Sequence, residues 1–160
     1  LGKARATGSV VVVASFLLSL GTGPAAAGLV PVWYNGDSSN SGGNLNTTGG
    51  IAGTWEVFEE FTISGPNPVQ ITTVWSNNSN FVPGLPSQAE WSIRTGMAPG
   101  DGGTVLFGNT SSVTVTPTGR VNLGETEFTV AVQNLSILLP PGQYWLNVTP
   151  VEVGDGQSLI

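Results

Sequence analysis

The sequence predicts an all-β fold, an antiparallel two-sheet β-sandwich of jelly-roll type, and three observations predict it. Apolar and polar residues alternate with period two in segment after segment. Clusters of Gly, Pro, Asn and Ser separate the segments, and helical periodicity is absent from the mature part of the chain. With 23 Gly and 11 Pro in 160 residues, only the first thirty residues leave room for a helix to settle.

The elements follow in chain order. Residues 32–34 read as a first strand, and residues 55–63 and 69–76 as the next two. Ala89, Trp91 and Ile93 then alternate with Glu90, Ser92 and Arg94. Residues 104–107 and 113–116 are short candidates. Phe128, Val130 and Val132 alternate with Glu127, Thr129 and Ala131, and Tyr144, Leu146 and Val148 with Trp145, Asn147 and Thr149. Each segment presents one face for burial, and about seven short strands with turn signals between them make two packed sheets.

The N-terminal thirty residues differ in kind. Lys3 and Arg5 precede an apolar run over residues 10–20, and Gly21, Gly23 and Pro24 lead to Ala25-Ala26-Ala27. This is the pattern of a secretory signal peptide cleaved after Ala27. The run is shorter than the roughly 20 residues a membrane-crossing helix needs. The expected organisation is a signal peptide over residues 1–27 and one β-sandwich domain over 28–160, truncated at its C-terminal end, where Leu159-Ile160 follow the turn-like Gly154-Asp155-Gly156.

Composition removes most chemistry. The chain has no Cys and no His, so it has no Ser-His relay, no thiolate, no disulfide and no zinc, copper or haem site of the usual ligand types. Its only lysine, Lys3, leaves with the leader, and Schiff-base and Ser-Lys chemistry leave with it. Arg94 and Arg120 then face ten acidic residues, a net charge of −8. A phosphate backbone or an anionic membrane needs several cations, so neither is an expected partner. The mature chain holds no membrane-spanning segment, and the expected location is secreted or at the cell surface.

Two places offer ligands. Residues 37–53 are rich in Ser, Asn, Gly and Thr and read as a long solvated connection. Within it Asp37, Asn40, Asn44 and Asn46 carry the oxygens a calcium ion accepts, without the dense acidic spacing of an EF-hand. Glu59 shares its parity with Trp55, Val57, Phe61 and Ile63, the side that alternation assigns to the core. A buried carboxylate needs compensation, from a bulge that turns it to water, from Arg94 or an indole N–H, or from a cation. Glu59 therefore joins Asp37 and Asn40 as a candidate metal ligand.

Glu56 and Glu60 would share one face of a strand about 13 Å apart at roughly 3.3 Å per residue, and Glu59 and Glu60 would point oppositely. Neither pair suits two carboxyls acting on one glycosidic bond. Five Trp raise the question of a sugar-stacking surface. Trp145 is the first candidate because it lies opposite to Tyr144, Leu146 and Val148, and Trp75 and Trp33 come next. The competing reading is aromatic core filler in a chain with few leucines. Sequons occur at Asn46, Asn77, Asn109, Asn134 and Asn147.

Several motifs together carry a resemblance. They are Val32-Trp33-Tyr34-Asn35-Gly36, Glu59-Glu60-Phe61, Trp91-Ser92-Ile93-Arg94-Thr95-Gly96 followed by Gly102-Gly103-Thr104, Pro117-Thr118-Gly119-Arg120, and Leu139-Pro140-Pro141-Gly142-Gln143-Tyr144-Trp145-Leu146. In these the chain resembles bacterial exported proteins of the PEP-CTERM sorting domain-containing type, although the sorting segment itself is absent. The resemblance implies an exported β-domain of the cell surface or matrix and brings no catalytic residues. The expected function is a non-enzymatic exported β-sandwich protein. The alternative is a carbohydrate-binding module that stacks extracellular polysaccharide on Trp145, Trp75 or Trp33, with a structural calcium as its one candidate cofactor.

Overall fold

The computed structural model describes residues 10–14, 30–34, 46, 48, 54–79, 84–122 and 124–151. Every regular element among them is a strand: β1 (Val10–Ala14), β2 (Val30–Tyr34), β3 (Glu59–Ile63), β4 (Val69–Asn78), β5 (Gln88–Thr95), β6 (Thr104–Ser112), β7 (Thr114–Asn122), β8 (Glu125–Val132), β9 (Ile137–Leu139) and β10 (Gly142–Val151). One sheet runs β2-β1-β4-β8-β7, with β9 also paired to β4; the other runs β3-β10-β5-β6. All strand pairs are antiparallel. The protein is therefore an all-β chain of two antiparallel sheets, consistent with a β-sandwich. No helix among the described residues is long and apolar enough to cross a membrane.

The core lies between the sheets and is built by alternation. β3 contributes Phe61 and Ile63, β5 Ala89, Trp91 and Ile93, and β10 Tyr144, Leu146 and Val148, against Val69, Ile71 and Val74 of β4 and Val130 and Val132 of β8. Phe61 and Tyr144 are register partners, and their rings sit 5.5 Å apart. Tyr144 donates its hydroxyl hydrogen to the Pro140 carbonyl at 2.8 Å, which lets a polar tip end a buried ring.

The turns carry the chemistry their geometry demands. Between β5 and β6, Ala98 and Asp101 exchange two backbone hydrogen bonds around Pro99-Gly100, with Gly100 at φ 84°. Pro followed by a left-handed Gly is the type II turn signature. Gly103, at φ 66°, has the Thr95 carbonyl oxygen 2.5 Å from where a Cβ would stand, so no other residue fits there.

Several strands differ in extent from the sequence reading. Strand β3 begins at Glu59 rather than at residue 55, because residues 56–58 lack ladder partners, the Val57 carbonyl accepting instead from the Asn147 side chain. Strands β4, β6, β7 and β10 run on past their expected ends, and β9 is additional. Strand β1 lies inside the segment read as a leader: Val10–Ala14 is paired to β2 on one side and to β4 on the other.

Candidate functional site

Two polar assemblies stand out against the apolar core, one buried and one on the outer face of the second sheet. The buried one joins the sheets at the end of β10. Asn46, fully buried, donates from Nδ2 to Asn78 Oδ1 at 3.0 Å and to the Val148 carbonyl at 2.9 Å. Its Oδ1 accepts from Thr149 Oγ1 at 2.9 Å and from the Val57 N–H at 3.4 Å. Ser76 Oγ donates to the same Val148 carbonyl, and Asn78 Nδ2 donates to Ser76 Oγ. Asn147 Nδ2 reaches the Val57 carbonyl at 3.0 Å and Thr149 Oγ1 at 2.6 Å.

One side chain from the connection thus bridges β4 of one sheet to β10 of the other. The Asn amide suits this place because it offers two donors and two acceptor lone pairs at once. Asn46, one of the oxygens offered for calcium, has its Oδ1 engaged by two protein donors. Asp37, Asn40 and Asn44 lie outside the described residues. Glu59 sits as alternation requires, 8% exposed on the core face opposite Leu146, and it is partnered. Among the described residues no three acidic side chains come together to hold a metal.

The outer assembly is set by register. In the second sheet Trp145 pairs with Glu60 on β3 and with Arg94 on β5, so the three stand in one row across three strands. Directly opposed residues share a face, and here it is the face away from Tyr144 and Leu146. Each member is held by its neighbours. Glu60 Oε1 accepts from Gln143 Nε2 at 2.6 Å. Arg94 donates from Nε to Ser92 Oγ at 3.2 Å and from Nη1 to the Gly102 carbonyl at 3.1 Å, and its guanidinium lies 4.9 Å over the Phe58 ring. Glu60 is exposed, and Trp145 and Arg94 are half-buried.

No family model, curated protein or solved structure matches this chain.

Geometry separates the aromatic candidates. Trp145 belongs to the second sheet, whereas Trp75 on β4 and Trp33 on β2 belong to the first, Trp75 in register with Val11 of β1 and Trp33 with Val12. Trp91 is a core residue whose indole N–H donates to Ser111 Oγ. Trp55 was missed by the sequence reading: parity placed it in the core, yet it is 54% exposed. Parity holds only within a strand, and the strand starts four residues later. The same shift removes the premise of the Glu56–Glu60 spacing. Glu59 and Glu60 do point to opposite faces, as alternation requires.

The remaining charged pair is structural. Glu127, buried, accepts from Arg120 Nε and Thr118 Oγ1, both at 2.8 Å, and Thr118 Oγ1 also accepts the Arg120 N–H. This ties the Pro117-Thr118-Gly119-Arg120 stretch across the register shift between β7 and β8. Of the five sequons, Asn46, Asn77 and Asn147 are buried, while Asn109 and Asn134 are exposed.

Proposed function

We propose that this chain is an exported, non-enzymatic β-sandwich protein of the cell surface or extracellular matrix, whose working part is its outer surface. The observation that carries the reading is how the polar side chains are used. Glu127 is bound to Arg120 and Thr118, Glu60 to Gln143, Glu90 to Thr48 and Asp101 to the Gly103 N–H, and the buried amides join the two sheets. Each of these contacts fixes local structure. A hydrolytic pair would instead need two carboxyls converging on one reacting bond. Export rests on Lys3 and Arg5, the apolar run and Ala25-Ala26-Ala27, and a chain without cysteine keeps its fold whether or not its surroundings are oxidising.

The test is expression of the full chain in an exporting bacterium, followed by cell fractionation and N-terminal sequencing. Export with a new N-terminus at Gly28 is the expected result. An intact chain retained in the cytoplasm would overturn the proposal. Removal of residues 1–27 also withdraws β1 from between β2 and β4, so in the exported form the backbone amides of Ile71–Ser76 that bond to β1 are expected to exchange faster with deuterium than in the full chain.

A further inference from the structure

The row Glu60–Trp145–Arg94 has the composition of a recognition surface for an uncharged, hydroxyl-rich ligand. We infer that the outer face of the β3-β10-β5 ladder binds a neutral polysaccharide, with a sugar ring stacked on Trp145 and hydroxyls bonded by Glu60 and Arg94. This goes beyond the export reading, which stands or falls separately.

The first argument is placement. At roughly 4.8 Å between neighbouring strands the row spans about 10 Å, with the indole at its centre and one charged group on each side. A flat ring bounded by an acceptor and a donor matches a pyranose, which offers an apolar C–H face and a rim of hydroxyls. The C–H face stacks on the indole, and the rim takes hydrogen bonds that charge strengthens.

The second argument is order. Arg94 is fixed from three directions, by Ser92, Gly102 and the Phe58 ring, and Glu60 is fixed by Gln143. Its neighbours use Nε and Nη1 of Arg94 and Oε1 of Glu60. The Nη2 donors, the Oε2 acceptor and the Trp145 indole N–H hold none of the described hydrogen bonds. Binding groups that are already held in place lose little entropy when the ligand arrives.

The third argument is charge. Within the row one carboxylate and one guanidinium cancel, so the surface selects for neither ion. The chain around it carries six more acidic than basic residues and repels polyanions. Those two facts select a neutral glycan over an alginate-like or nucleic-acid chain. Trp75 and Trp33, on the other sheet, take no part.

The experiment is affinity electrophoresis of the full chain through gels containing hydroxyethylcellulose, galactomannan, arabinoxylan or dextran, with alginate as the charged comparison. Retardation is expected in at least one neutral gel and not in alginate. Trp145→Ala should weaken it about tenfold or more, Trp145→Phe should restore most of it, and Glu60→Gln and Arg94→Gln should each weaken it severalfold. Trp75→Ala should leave it unchanged. An unaltered melting temperature of Trp145→Ala keeps lost binding distinct from lost folding. Loss on Trp75→Ala with Trp145→Ala unaffected would overturn the assignment, as would stronger retardation in alginate or none in any neutral gel.

Discussion

Strands β10 and β6 belong to the same sheet, one at its centre and one at its edge, and they invert the usual placement of polar and apolar side chains. β10 buries Asn147 and Thr149 beside Leu146 and Val148, while β6 exposes Val105, Leu106 and Phe107 in succession. β10 has a strand on each side, and beyond β3 its last residues meet Asn46, Thr48 and Val57, so even its polar positions are enclosed and turn to protein partners. Among the described residues β6 pairs only with β5. Its register slips where Arg94 pairs with Val105 and Ile93 with Phe107, which leaves Leu106 as the extra residue of a bulge. A bulge of this kind twists an edge strand away from continued pairing and is one way such an edge is protected. Hydrophobic patterning therefore says which face a side chain is on, and the strand's place in the sheet says whether that face is covered.

The largest test of this contrast uses two phenylalanines. Phe61 on β3 is 1% exposed and packs against Tyr144, whereas Phe107 on β6 is 38% exposed. Phe61→Ala should cost about 3 to 5 kcal/mol in denaturant unfolding. Phe107→Ala should cost about 0.5 kcal/mol or less, as surface changes do. Equal costs would mean that β6 is covered in solution, and the contrast would fail.

The polar end of β10 supplies the next test. Asn46→Ala removes four hydrogen bonds at once and leaves Asn78 Oδ1 and the Val57 N–H short of a partner. A buried group without its bond costs about 1 to 3 kcal/mol, so a loss of about 2 to 4 kcal/mol is expected. The control is Thr114→Ala, which breaks only an exposed contact with Gln133 and should change stability by less than about 0.5 kcal/mol.

These two regions also mark how far the sequence could be read. Alternation located the core faces of β3, β5, β8 and β10, because each has a second sheet over it. It placed Glu59 inward and Glu60 outward correctly, since both lie within β3. It failed at Trp55, where the chain has not yet entered the strand, and at Asn46, whose partners are 11, 32 and about 100 residues away. No local pattern announces a side chain that bridges two sheets across that separation. The row of Glu60, Trp145 and Arg94 was half legible: Trp145 showed its outward parity, but its neighbours are set by the register of three strands distant in sequence.

Titration probes the buried side of the comparison more gently. Burial raises the Tyr144 pKa above its ordinary value of 10.0 by penalising the phenolate. Stability from this group is full below pH 10, where both folded and unfolded forms keep the proton. It declines as pH rises from there towards the raised folded value, because the unfolded chain gives up its proton first. Tyr144→Phe should remove this alkaline decline from a pH series of urea midpoints. It should also lower stability near pH 7 by about 1 kcal/mol through the lost bond to the Pro140 carbonyl. A slope that survives the substitution would place the decline elsewhere.

The smallest effect comes where, among the described residues, enclosure is not matched by bonding. Ser79 Oγ, just past the end of β4, is buried without a hydrogen-bond partner, as is Asn147 Oδ1. Ser79→Ala deletes a hydroxyl that burial has already separated from water, so nothing bonded is lost and a desolvation cost is relieved. The substitution should leave the melting temperature unchanged or raise it by the equivalent of about 0.5 to 1 kcal/mol. A drop of about 1 kcal/mol or more would mean that the hydroxyl is bonded in solution, and that the polar end of the sandwich is as fully satisfied at Ser79 as it is at Asn46.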